Sequence, residues 1–104
     1  MERIAPSCFT VTTVVPVEPE SIDDLARLFD DTNRALVAEH DDWLGAWFTA
    51  DRATNRVTVI ARWRDPASYQ RLRESAEFRT VMERFETRFT GPPTVTINEV
   101  LVEM

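Results

Sequence analysis

Lysine is absent from this chain: all 12 basic residues are arginine, set against 18 acidic ones, for a formal net charge of −6 over 104 residues. That absence excludes a Schiff-base amine, a phosphate-loop lysine and a lysine general base. The acidic excess, with a pI near 4.7, repels polyanions and argues against a nucleic-acid role. A single cysteine, Cys8, excludes an internal disulfide and a multi-thiolate metal site, and fits a reduced, cytoplasmic protein. The two glycines, Gly45 and Gly91, stand too far apart for a nucleotide-cradling loop. No apolar run has the length of a membrane span, and residues 1–20 show no basic region leading into an apolar one, so neither a membrane anchor nor an export signal is expected. With no repeat, low-complexity tract or linker, residues 1–104 read as one domain, and 43% hydrophobic residues suffice for a core.

Residues 7–17 are β-branched and aromatic, which predicts a strand ended by Pro16 and Pro19. Ser21 with Asp24 has the spacing of a capping box, and Ile22, Leu25, Leu28, Phe29, Leu36 and Val37 follow at helical spacing, predicting a helix over 21–40. Two apolar runs, Trp43–Ala50 and Arg56–Arg64, flank a polar link of hairpin length. Asp65 and Pro66 are a cap and a first helical residue, and apolar spacing carries that helix to about residue 89, with Ser75 as a restart point. Gly91-Pro92-Pro93 stops it, and residues 94–103 return as a last strand.

The order β-α-β-β-α-β predicts an α+β fold of ferredoxin-like type, an antiparallel sheet with two helices on one face. Trp43 and Trp47 are expected to share a strand face, and the strands look apolar on both sides. The uncovered face is therefore expected to meet the same face of a second copy, giving a homodimer.

Arg56-Val-Thr-Val-Ile-Ala-Arg-Trp63, followed by Arg-Asp-Pro-Ala-Ser-Tyr69, then Glu74-Ser-Ala-Glu-Phe78, and the earlier Trp43-Leu-Gly45-Ala-Trp-Phe, resemble the antibiotic biosynthesis monooxygenase family, over nearly the whole chain in element order. The resemblance implies a dimeric α+β barrel with a pocket between helices and sheet in each protomer. It implies oxidation of a planar phenolic or polyketide-type aromatic to a quinone by O₂, with no metal, flavin or other cofactor, in secondary metabolism. Carried over by position, the strand-end Trp is Trp63 and the Tyr six residues on is Tyr69. The helix Arg falls near Arg84, and the family's strand Asn falls at Val59, which has no amide.

The residues support such chemistry in their own right. A planar guanidinium suits a phenolate, and aromatic walls suit fused rings. Trp63, Tyr69, Arg84 and His40 are the catalytic candidates, with Trp47, Val59, Arg73, Phe78 and Phe85 as substrate-binding candidates. Each also has a plain structural reading. Trp63 plugs a core edge as readily as it walls a pocket, and Trp47 suits a dimer interface. Tyr69 is equally a half-buried packing residue. Arg62, Arg73 and Arg84 can be solvated or paired with Glu77 or Glu83. His40, the only imidazole, stands where a helix C-terminus favours a cation, and the other reading is a general base. Glu39, His40, Asp41 and Asp42 are a weak metal signal, and no ligand for haem iron is evident. Cys8 reads as a small strand residue. The pairs Asp23-Asp24 and Asp30-Asp31 serve solubility. The alternatives to an oxygenase are a non-redox polyketide cyclase or isomerase, a small-molecule-binding protein, and an interaction module with a filled interior.

Overall fold

The computed structural model describes residues 5–104. Strand β1 (Cys8–Pro16) leads through a 3-10 turn (Pro19–Ser21) into helix α1 (Ile22–Val37). Strands β2 (Trp43–Asp51) and β3 (Arg56–Trp63) form a hairpin, helices α2 (Pro66–Arg73) and α3 (Ala76–Glu86) follow, and β4 (Thr94–Val100) closes the order. The sheet is antiparallel throughout, in the order β2-β3-β1-β4. This is the ferredoxin-like α+β arrangement, with the second helix of the expected pair divided in two.

The division has a local cause. The Ser75 hydroxyl accepts from the Phe78 amide at 3.1 Å and donates to the Leu72 carbonyl at 2.7 Å, so one side chain ends α2 and starts α3. At the start of α2, Asp65 Oδ1 accepts from the Ala67 amide at 2.9 Å, with Pro66 in the first turn, as the sequence indicates. The capping box at Ser21 does not form. Ser21 has helical dihedrals and makes no cap bond; its hydroxyl donates to Glu18 and accepts from Arg88 at 2.8 Å. Helix α1 ends at Val37, three residues short of the expected span. The last strand stops at Val100 and not 103, because its partner β1 begins at Cys8, opposite Val100. In the β2–β3 link, Asp51 Oδ1 accepts from the Ala53 and Thr54 amides, and Asn55 takes φ 55°, which its short polar side chain tolerates.

The register fixes which side chains share a face. Across the helix-facing side run Trp43–Trp63–Phe9, Ala46–Ala61–Val11–Ile97, Phe48–Val59–Thr13–Val95 and Ala50–Val57–Val15. Across the opposite side run Gly45–Arg62–Thr10–Asn98, Trp47–Ile60–Thr12–Thr96 and Thr49–Thr58–Val14–Thr94. Trp43 and Trp47 therefore lie on opposite faces, against the expectation from their spacing. The register shifts between Trp43 and Gly45, and the residue added there, Leu44, inverts the alternation. Gly45 takes φ 142° in this bulge, a conformation that side chains disfavour. The outer face is correspondingly less apolar than expected: threonines dominate it, with Trp47, Ile60, Val14 and Val100 among its hydrophobic members.

The core is split. One cluster gathers Val11, Val37, Trp63, Tyr69 and Leu72, with Leu36, Trp43, Ala61 and Phe78 packed against it. The other gathers Val15, Val17, Ile22, Leu25 and Val57, with Phe48, Val59, Phe85 and Phe89 against it. Thr13, on the middle row of the sheet, belongs to neither.

Because space is open around a Cβ at Gly45, Gly45→Ala tests backbone conformation and not crowding. The substitution is expected to cost about 1–3 kcal/mol, the range for a side chain held in such a dihedral region, read as a lowered midpoint in urea unfolding.

Candidate functional site

A cavity of about 410 Å³ lies between the helices and the sheet, within the size range of small-molecule sites. Its sheet side is Val11, Thr13, Val57, Val59, Ala61 and Trp63, and its helical side includes Phe29, Leu36, Tyr69, Phe78, Met82 and Phe85. Phe29 and Phe48 pack at 5.3 Å between ring centroids across one flank. The lining is mainly apolar, with a few polar groups set into it, the composition expected of a ligand pocket.

Trp63 ends β3, is 1% exposed and lines the cavity. Its indole Nε1–H is buried with no hydrogen-bond partner among the described residues, an arrangement that costs about 1–3 kcal/mol when nothing accepts the proton. The Tyr69 ring lies 6.1 Å from it and the His40 ring meets it edge-on at 5.8 Å. These positions are held by a side-chain staple: Ser68, 2% exposed, donates to the Asp42 carboxylate and accepts from Arg71 at 2.8 Å, while the Asp42 carbonyl accepts from the Arg64 amide at 2.6 Å. The staple ties the first turn of α2, and so Tyr69, to the segment entering β2. Burial pushes the Tyr69 hydroxyl above the ordinary phenol range, and the nearby Arg73 charge pulls part of the way back.

Of the residues singled out in the sequence, Val59, Trp63, Tyr69, Arg73, Phe78 and Phe85 are brought to this cavity. Three are not among its lining. Trp47 stands 54% exposed on the opposite face of the sheet, put there by the bulge. Arg84 borders a small cleft with Asp24, Leu25, Leu28 and Arg88, because α3 turns its Phe78–Val81–Met82–Phe85 stripe inward and Arg84 falls outside it. His40 touches Trp63 from behind, its own amide donating to the Val37 carbonyl at 3.0 Å. Glu39, His40, Asp41 and Asp42 do not converge; among the described residues no three His, Cys, Asp or Glu side chains are grouped to hold a metal ion.

The cavity also takes polar residues that the sequence reading passed over: Thr13, Thr32, Asn33, Arg79 and Glu86. One signal for them was present. Thr32 and Asn33 interrupt the inward stripe of α1 between Phe29 and Leu36, where continuous packing would have placed an aliphatic residue.

The Tyr69 phenol is expected to ionise above pH 10 by ultraviolet absorbance, and Arg73→Ala to raise its midpoint further by removing the opposing charge. Since the folded form binds this proton more tightly than the unfolded chain, its contribution to stability is complete below the ordinary phenol midpoint near 10 and is lost as pH rises beyond it.

Solved structures share this architecture. A Nitrosomonas europaea protein bearing the name of the antibiotic biosynthesis monooxygenases superposes with a TM-score of 0.81 at 9% identity, over 96% of each chain. A Caulobacter crescentus protein of the same designation gives 0.79 at 14% identity over 94% of this chain and 92% of its own. A Mycobacterium tuberculosis protein gives 0.75 at 18% identity over 93% and 98%. At these identities the likeness is one of fold. No sequence match is found among curated proteins. No helix among the described residues is long and apolar enough to cross a membrane. The family model for antibiotic biosynthesis monooxygenase matches residues 8–84, from the first residue of β1 to the last turns of α3, and the chain belongs to that family.

Proposed function

We propose that this protein oxidises a planar phenolic or polyketide-type aromatic to a quinone with O₂ and no cofactor. The observation that carries the reading is the unpartnered Trp63 Nε1–H on a residue of the cavity wall: the ring oxygen of a bound substrate supplies its missing acceptor. Tyr69, beside it, donates a second hydrogen bond to the same oxygen, and the neighbouring Arg73 charge favours the phenolate over the phenol. Apolar walls exclude water and leave room for O₂. In the overall step a ring CH₂ becomes C=O: one oxygen atom enters the product, the other leaves as water with the two hydrogens, and all four electrons come from the substrate carbon. His40 reaches the site through Trp63 and has the part of positioning that indole, or of taking the phenolic proton if its ring turns inward. A non-redox cyclase, isomerase or binding role has one observation in its favour, the apolar Val59 at the position where the family resemblance calls for an amide.

Oxygen uptake by metal-stripped protein with an anthrone, followed by product mass, decides between them. Uptake with a product richer by one oxygen and poorer by two hydrogens supports the oxygenase. Absence of uptake, with quenching of tryptophan fluorescence retained, leaves the non-redox role. Trp63→Phe keeps the aromatic packing and deletes the donor, so kcat/KM is expected to fall about 10- to 100-fold, the worth of a hydrogen bond to a developing charge.

The same reading includes a homodimer through the outer sheet face, supported by the exposed Trp47 standing opposite Ile60 on a surface rich in β-branched residues. Trp47→Asp is expected to shift sedimentation from dimer to monomer without loss of secondary structure; an unaltered dimer would move the interface elsewhere.

A further inference from the structure

Four ion pairs occupy Arg27, Arg34, Arg52 and Arg62 among the described residues, on exposed helix and strand surfaces. Arg79, like Arg73, lines the cavity with no carboxylate partner among the described residues; it lies one turn into α3, and Glu77 and Glu83, close in sequence, do not engage it. On the facing helix, Asn33 also lines the cavity, and its amide makes no hydrogen bond among the described residues. Helices α1 and α3 are in contact, and each contributes one of these polar side chains to the lining of the same cavity. In a chain of net charge −6, this cavity is lined by two guanidinium groups, Arg73 and Arg79, against one carboxylate, Glu86, and with the Asn33 amide they make a local site for an anion against the prevailing field.

We infer that the ligand of this cavity is an acid, with an aromatic body and a permanently ionised carboxylate that Arg79 and Asn33 hold at the rim. The inference rests on the cavity being the ligand site, as in the proposed function, and adds a second recognition point distinct from Trp63 and Tyr69. The guanidinium offers two parallel N–H donors to the two carboxylate oxygens, and the Asn33 amide a third. The aromatic body lies inward against Phe29, Met82 and Phe85. Such a clamp fixes the orientation of the rings, so that a chosen ring oxygen comes to Trp63. An ester or a neutral analogue of the same shape forfeits that anchor.

The test compares anthracene-2-carboxylate with its methyl ester, by quenching of tryptophan fluorescence at low ionic strength. The acid is expected to bind at least tenfold more tightly than the ester, and the preference to shrink as salt is added. Arg79→Gln is expected to remove the preference while leaving ester affinity within twofold. The control Arg56→Gln, the same charge change at an exposed site outside the cavity, is expected to retain it. Equal affinity for acid and ester, or a preference that survives Arg79→Gln, overturns the acid clamp and leaves the oxygenase reading untouched. Binding of neither probe overturns both, since the cavity would then not be the ligand site.

Discussion

The site depends on a core that does not close. Two clusters of large side chains, one around Trp63 and Tyr69 and the other around Ile22, Leu25 and Val57, hold the helices off the sheet. On its sheet side the cavity meets Thr13, which belongs to neither cluster, and the small side chains Ala61 and Val59, each packed against one of them. Protein interiors are otherwise packed to the density of organic crystals, and an apolar void forfeits the dispersion contacts its lining would have made. The fold tolerates the cavity because each cluster is complete in itself. Trp63 belongs to one cluster and to the cavity wall at once, so the residue that closes one end of the core also lines the cavity.

Charge is distributed to the same end. Arg27, Arg34 and Arg52 are engaged with aspartates on the exterior of α1, where such pairs contribute little stability but keep the surface balanced. Arg73 and Arg79 line the cavity with no carboxylate partner among the described residues, against one carboxylate in the lining, Glu86. At the C-terminus of α2, Arg73 also lies favourably in the helix dipole, so its position serves the helix and the cavity together. Its charge acts on Tyr69, whose burial otherwise disfavours ionisation. The electrostatic character of the pocket is thus opposite in sign to that of the whole chain.

Much of this was legible locally. Asp65-Pro66 and Ser75 act within four residues of themselves, and each forms the cap that its sequence context indicates. The β-branched run of β1 and the apolar spacing of α3, Phe78 and Phe85 among it, likewise report on their own segments, whereas Val59, Trp63 and Tyr69 were singled out by position through the family resemblance; all five line the cavity, with Arg73. Trp47 was not, because a bulge of one residue at Leu44 reverses the alternation, and nothing in the spacing of Trp43 and Trp47 discloses it. Arg84 was misplaced by about one helical step: in the last turn of α3, a residue next to the inward stripe turns away from the cavity. The Ser21 capping box failed for a nonlocal reason, since Arg88, 67 residues away, engages the hydroxyl that would have capped α1.

The sequence by itself determined the order of the strands and helices, the inward apolar stripes of α1 and α3 and the excess of acid. These follow from side-chain type and from the periods of helix and strand, which every residue imposes on its neighbours. Only the tertiary structure decided which face of β2 each tryptophan occupies, which arginines stay unpaired and which polar residues of α1 and α3 meet across a common space. Those outcomes depend on register and on the distance between layers. Both are set by contacts between residues far apart in the chain, and no local pattern encodes them.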